Sequence, residues 1–158
     1  MSSQNNVTRY LDTKGIAFSA YELPVKKMGA LEVARYLQIP PELVYKTIVV
    51  GRKGSGKPIL AVIPGPSEVN LKTLALILNE KKVFVTSQRE AEQLTGLKSG
   101  GISPLALVNR GFQTIIDNSA LMLVEIFISG GQRGLDISLS PQAFIDITQA
   151  KVADIKKD

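Results

Sequence analysis

Lys46 stands where the local pattern asks for an apolar side chain. It interrupts the run Leu43-Val44-Tyr45-Lys46-Thr47-Ile48-Val49-Val50, and a lysine in such a setting is rarely buried without a partner. Two readings are open. The stem can cover apolar surface while the ammonium reaches water, or the cation lines a cleft and orients a carbonyl or phosphate. Two glycine-bearing segments offer a second kind of chemistry. In Gly100-Gly101-Ile102-Ser103-Pro104, adjacent glycines reach backbone angles closed to other residues and can turn N–H groups toward an oxyanion or phosphate; a plain surface turn is the alternative. Ser129-Gly130-Gly131-Gln132-Arg133-Gly134 has the composition of a hairpin turn, and the same residues could cup an anionic or carbonyl group. Asp136, two positions on, is either exposed at the start of a strand or aimed into a cleft.

The chain contains no cysteine and no histidine. That excludes a Ser-His-Asp triad, a Cys-His dyad, a disulfide framework and a His-ligated zinc site. Any general acid or base must be Lys, Asp, Glu, Tyr, a terminus or a group on the substrate. Ser103 has neither a nucleophile-elbow motif nor a histidine to activate it. Gly51-x4-Gly56-Lys57 has P-loop spacing, but Pro58 stands where the metal-binding hydroxyl is needed and a strand follows instead of a helix. It reads as a hairpin connector.

Around these residues the 158-residue chain is 44% hydrophobic and 21% charged, a globular balance that suits a single domain spanning 1–158. The formal net charge of +5 suits a phosphate-bearing partner, although the basic residues are scattered in pairs such as Lys26-Lys27 and Lys81-Lys82. No apolar run is long enough for a membrane span. The opening Met1-Ser-Ser-Gln-Asn-Asn lacks the layout of a signal peptide, so the expected location is the cytoplasm.

Periodicity and caps predict helices over 4–14, 30–38, 70–80, 87–94 and 141–149. The second is expected to bury Leu31, Ala34 and Leu37 or Val33. Ser87 with Glu90 forms a capping box, and Ser140-Pro141 opens the last helix. Strands are expected over 16–23, 43–50, 59–63, 83–85, 113–117, 121–128, 135–139 and 151–155. The alternation implies an α+β fold on a mixed or antiparallel sheet.

Taken together, Tyr45-Lys46-Thr47, Gly100-Gly-Ile-Ser-Pro-Leu105 and Ser129-Gly-Gly-x-Arg-Gly-Leu-Asp136 resemble the signature segments of the YbaK/EbsC family, related to the editing domain of bacterial prolyl-tRNA synthetases. The resemblance runs from the first helix to the helix after Pro141. It implies a mixed, mostly antiparallel, barrel-like sheet flanked by helices, and hydrolysis of the ester in mischarged Cys-tRNA(Pro) without a metal or cofactor. It assigns Lys46 as the principal site residue. Tyr21, Met28, Thr47, Ser129, Gly130, Gly131, Arg133 and Asp136 then line the substrate pocket, with the Gly100-Gly101 loop closing over the aminoacyl end. Met28 stands where relatives often carry an aromatic residue, which bears on the aminoacyl group accepted. In the mechanism the resemblance implies, the substrate thiol attacks its own ester. Aminoacyl-tRNA is the implied partner and prolyl-tRNA synthetase a candidate one. A deacylase for another aminoacyl group such as Ala-tRNA(Pro), and a non-catalytic tRNA- or synthetase-binding module, are the alternatives.

Overall fold

The computed structural model describes residues 4–54 and 56–158. Residues 1–3, the first half of the segment read for a leader, and Ser55, in the middle of the 51–58 connector, lie outside the described residues. In chain order the elements are α1 (Asn6–Thr13), β1 (Phe18–Glu22), α2 (Ala30–Leu37), β2 (Tyr45–Arg52), β3 (Ile59–Pro64), α3 (Leu71–Ile77), β4 (Val83–Val85), α4 (Gln88–Thr95), β5 (Gln113–Asp117), β6 (Ile126–Ser129), β7 (Leu135–Leu139), α5 (Pro141–Thr148) and β8 (Lys151–Ala153). The caps act as their sequences predict. The Ser87 hydroxyl accepts from Glu90 N while Glu90 accepts from Ser87 N, and the Ser140 hydroxyl accepts from Ala143 N.

The strands form two sheets. An antiparallel sheet of three strands has the order β1-β7-β6, and a mixed sheet of five has the order β4-β2-β3-β5-β8, with β3-β5 and β5-β8 parallel. A bridge from Val44 to Phe127 joins them. The arrangement wraps like a barrel but does not close as one. β3 reads Ile-Leu-Ala-Val-Ile-Pro and is buried on both faces, as expected of a central strand with a continuous apolar run. Ile59, Ala61 and Ile63 face a core with Leu74 and Ile115. Leu60 and Val62 point the other way, into clusters that hold Ala91 of α4 and Val7 and Leu11 of α1. Each fully buried isoleucine or leucine contributes roughly 1.5–3 kcal/mol, enough in aggregate to hold β2 rigidly beside β3.

Two expectations need correction. Residues 118–122 form a 3-10 turn and only Ile126–Ser129 is a strand, because the Asp117 carboxylate accepts from Ser119 N and caps the turn. In α2 it is Val33 and Ala34 that are buried, whereas Leu31 is 47% exposed. Val33 and Ala34, both expected inside, meet the small cluster of Met28, Val44 and Phe127, with Leu37 packed against it, so only Leu31 departs from the expectation.

Candidate functional site

β2 carries Lys46 and Thr47 along one wall of a cavity of about 360 Å³. Met28, just before α2, the Gly100 loop, and Ser129 and Asp136 of the small sheet complete the part of the wall foreseen in the sequence. Antiparallel pairing does the positioning. Asp136 lies opposite Tyr21 in β1 and opposite Ser129 in β6, so three residues distant in sequence form one row across the sheet, their side chains on one face.

Asp136 is 4% exposed, and one carboxylate oxygen, Oδ2, is buried without a hydrogen-bond partner among the described residues. Burial pushes its pKa up to about 7, since the charged form is the one that loses water. Thr47 Oγ1 is the second buried polar atom in this condition. An orphaned polar group costs about 1–3 kcal/mol, and here both line one cavity. Lys46 is half-buried; its pKa is lowered by desolvation, against the pull of the Glu68 charge. Lys46 and Asp136 share the cavity without an ion pair, the described pairs being Lys26–Glu32, Arg52–Glu80 and Lys157–Glu68. The site thus holds a cation, a carboxyl poised near neutrality and a free hydroxyl, each lacking a strong partner.

The glycine segments do different work from each other. Gly100 lines the cavity at φ +92°, a conformation that favours glycine. Gly101 is glycine for lack of room: a Cβ there would sit 2.7 Å from Gln132 Cα. Its N–H donates to the Lys98 carbonyl at 2.8 Å, so it closes a turn. Gly130 N donates to Leu135 O, and Gly131 N donates to Ser129 Oγ. Arg133 Nε donates to Ser99 O at 2.7 Å, and the Ser129 hydroxyl donates to Gly100 O at 3.4 Å. Gly101, Gly130, Gly131 and Arg133 therefore lie outside the cavity wall, in the seam that locks the 98–104 loop to the 129–134 turn. Tyr21 also stands behind the wall, its ring 5.3 Å from that of Phe127 and its hydroxyl accepting from Ser138 Oγ at 3.3 Å. Ser103 is fully buried, and its hydroxyl caps a 3-10 turn by accepting from Leu105 N.

Sequence reasoning missed the rim. Lys27 Nζ donates to Gln88 Oε1 at 2.5 Å, joining the segment before α2 to the start of α4, and Lys26, Thr86 and Ser87 line the same edge. The Lys26-Lys27 pair was visible as charge and the Ser87 cap as a helix start; nothing local tells that they meet.

The sequence pattern of the aminoacyl-tRNA editing domain matches residues 25–147, which span β2, the Gly100 loop and the Ser129–Asp136 turn. The chain belongs to this family. A curated relative of Enterococcus faecalis, EbsC, a proposed Cys-tRNA(Pro)/Cys-tRNA(Cys) deacylase, is 32% identical over 154 residues, covering 96% of this chain and 93% of its own. That places the chain in the YbaK/EbsC group that its three segments resemble. The fold agrees. A hypothetical protein of known crystal structure superposes with a TM-score of 0.87 at 23% identity, covering 97% of this chain and 100% of its own. A proposed trans-editing enzyme for prolyl-tRNA synthetase superposes at 0.81 and 22% identity, covering 98% and 99%. Among the described residues no helix is long and apolar enough to cross a membrane.

Proposed function

We propose that this aminoacyl-tRNA deacylase, with residues 1–158 as one cytoplasmic editing unit, removes cysteine from mischarged Cys-tRNA(Pro). The observation that carries the reading is the cavity whose wall holds both Lys46 and the buried Asp136, with no ion pair between them and one Asp136 oxygen without a partner among the described residues. An aminoacyl ester has matching groups: an amino group for the Asp136 carboxylate, and a carbonyl whose developing negative charge Lys46 stabilises. The orphaned Thr47 hydroxyl supplies a further polar contact, and Met28 an apolar, adaptable side for the amino-acid side chain.

The nucleophile in this reading is the substrate's own thiol, as the family resemblance implies, and a chain without cysteine or histidine is compatible with that route because it need not supply one. The thiol sulfur attacks the ester carbonyl, the bond from carbonyl carbon to ribose oxygen breaks, and the thiol proton passes to that oxygen. The products are a cyclic thiolactone and a free tRNA 3′ end. The protein contributes positioning and electrostatic stabilisation. Prolyl-tRNA synthetase, which makes the error, is the proposed protein partner.

The deciding experiment follows release of labelled amino acid from Cys-tRNA(Pro), Ala-tRNA(Pro) and Pro-tRNA(Pro). Rapid loss of cysteine alone is expected, because alanine has no thiol to donate. Loss of alanine at a comparable rate would transfer the chain to a water-dependent deacylase. Turnover of none would leave a binding module.

A further inference from the structure

On the far side of the 129–134 turn lies a second cavity, of about 430 Å³. Ser129 and Gly134 line the first cavity; Gly131 and Gln132 line this one. Its other polar walls are Asn5, Asn6, Tyr10, Asn109 and Arg110, and no carboxylate is among its lining residues. Cations gather round it. Arg110 lines it, Arg9 donates to Asn6 Oδ1 at 2.7 Å, Lys14 Nζ lies 5.6 Å from the centre of the Tyr10 ring, and the Lys57 ammonium donates to the Arg110 carbonyl. None of the four has an ion-pair partner among the described residues.

We propose that this second cavity is a subsite for a single-stranded ribonucleotide of the tRNA acceptor strand, a base lying against Tyr10 with its phosphate on Arg110. A wall of carboxamides both donates and accepts, as the edge of a nucleobase requires, and the half-buried Tyr10, with the Lys14 ammonium over its ring, supplies an aromatic contact beside a cation. Unneutralised cations without a competing carboxylate suit a phosphodiester and exclude a metal ion or an ammonium ligand. The volume falls in the range of small-ligand sites.

Spacing supports the same occupant. Ser129 and Gln132 are three residues apart, at most about 11 Å of extended chain, and a stacked strand rises about 3.4 Å per nucleotide. The two cavities therefore flank a single short turn, which one strand running round it could serve on both sides. The choice of the acceptor strand rests on the reading of the first cavity as the aminoacyl-ester site.

The test measures fluorescence anisotropy of 5′-labelled, uncharged tRNA(Pro) with the parent protein and with Tyr10→Ala, Tyr10→Phe, Arg110→Gln and, as a distant control, Lys151→Ala. Tyr10→Ala is expected to weaken binding about tenfold, and Tyr10→Phe by less than about twofold. Arg110→Gln, an exposed change that leaves the fold intact, is expected to reduce the slope of log Kd against log salt by about 0.7. In parallel, KM for Cys-tRNA(Pro) rises by the same factors while kcat/KM for 3′-O-cysteinyl-adenosine, which ends at the first cavity, stays unchanged. Unaltered tRNA binding in both Tyr10→Ala and Arg110→Gln overturns the subsite, as does an equal loss on cysteinyl-adenosine. Weakened tRNA binding in a protein that hydrolyses no Cys-tRNA would retain the subsite and refute the deacylase reading.

Discussion

The two cavities stand back to back on one turn, and their polar groups live under opposite conditions. In the depth of the first cavity, below its exposed rim, two polar groups are dry: Asp136 is 4% exposed, and Thr47 Oγ1 and Asp136 Oδ2 have no partner among the described residues. Around Tyr10 they are bonded and wet. Asn5 donates to Gly130 O and Gln132 Oε1, Asn6 accepts from Arg9, and the cations reach solvent. The first arrangement costs stability and perturbs titration; the second costs little and holds charge in readiness. Dry, unsatisfied groups are what differential stabilisation of a reacting carbonyl requires, because each interaction gains strength where water is excluded. Wet cations instead supply salt-dependent affinity without chemistry.

The contrast breaks most visibly at Lys46. Lys46→Ala removes the cation that the proposed site places against the reacting carbonyl. Deacylation of Cys-tRNA(Pro) should fall by roughly 10²–10³-fold, the usual loss on deleting one such electrostatic contact. The loss belongs in kcat, while the urea midpoint and tRNA binding should barely move, since a half-buried lysine without an ion pair contributes little to folding. Full single-turnover activity in a folded Lys46→Ala protein would remove the dry cavity from the chemistry.

How far these roles were readable without coordinates depends on the kind of signal. Lys46 was legible because one residue broke an otherwise apolar run, and the helix caps at Ser87 and Ser140 because capping is written within four residues. The late start of β6 was not: Asp117 uses its side chain to begin a 3-10 turn in place of the expected strand, and to accept from Ile155 N and Lys156 N nearly forty residues on. The burial of Asp136 depends on β1 and β6 flanking it, so its two readings stayed open. The contact of Lys27 with Gln88 spans 61 residues and leaves no trace in either segment. Gly100 and Gly101 looked alike in sequence; one answers to a backbone angle and the other to a neighbour's backbone, and only the fold separates them.

Asp136 sharpens the comparison through pH. The folded state keeps a proton to about 7, whereas the unfolded chain loses it near the ordinary value of 3.8. Between these values the native state binds more protons, so this group makes the protein less stable as pH rises through the window, and the penalty is complete above it. At 1.36 kcal/mol per unit, the penalty has a ceiling of about 4 kcal/mol. In Asp136→Asn this contribution should vanish: relative to the parent, the variant gains up to this amount between pH 4 and pH 8, read from urea unfolding at each pH. A parallel pair of curves would mean that the carboxyl is already ionised and solvated, and that the first cavity is as wet as the second. Activity should fall in the same variant through a higher KM, since an amide cannot anchor the substrate ammonium as a carboxylate does.

The smallest effect tests the partition itself. Gly101→Ala places a Cβ 2.7 Å from Gln132 Cα and 2.9 Å from Gln132 C, backbone atoms that cannot swing aside as a side chain would. The 98–104 loop must then separate from the 129–134 turn, straining the bond from Arg133 Nε to Ser99 O and displacing Gly100 and Ser129 on one side and Gln132 on the other. Overpacking of this kind costs about 1–3 kcal/mol, a fall measurable in the denaturation midpoint. Because one seam supports both walls, KM should rise for cysteinyl-adenosine as well as for Cys-tRNA(Pro), unlike the response to Arg110→Gln, which is confined to the full tRNA. Wild-type stability together with unchanged KM for both substrates would show that the seam yields freely, and that each cavity keeps its shape without the other.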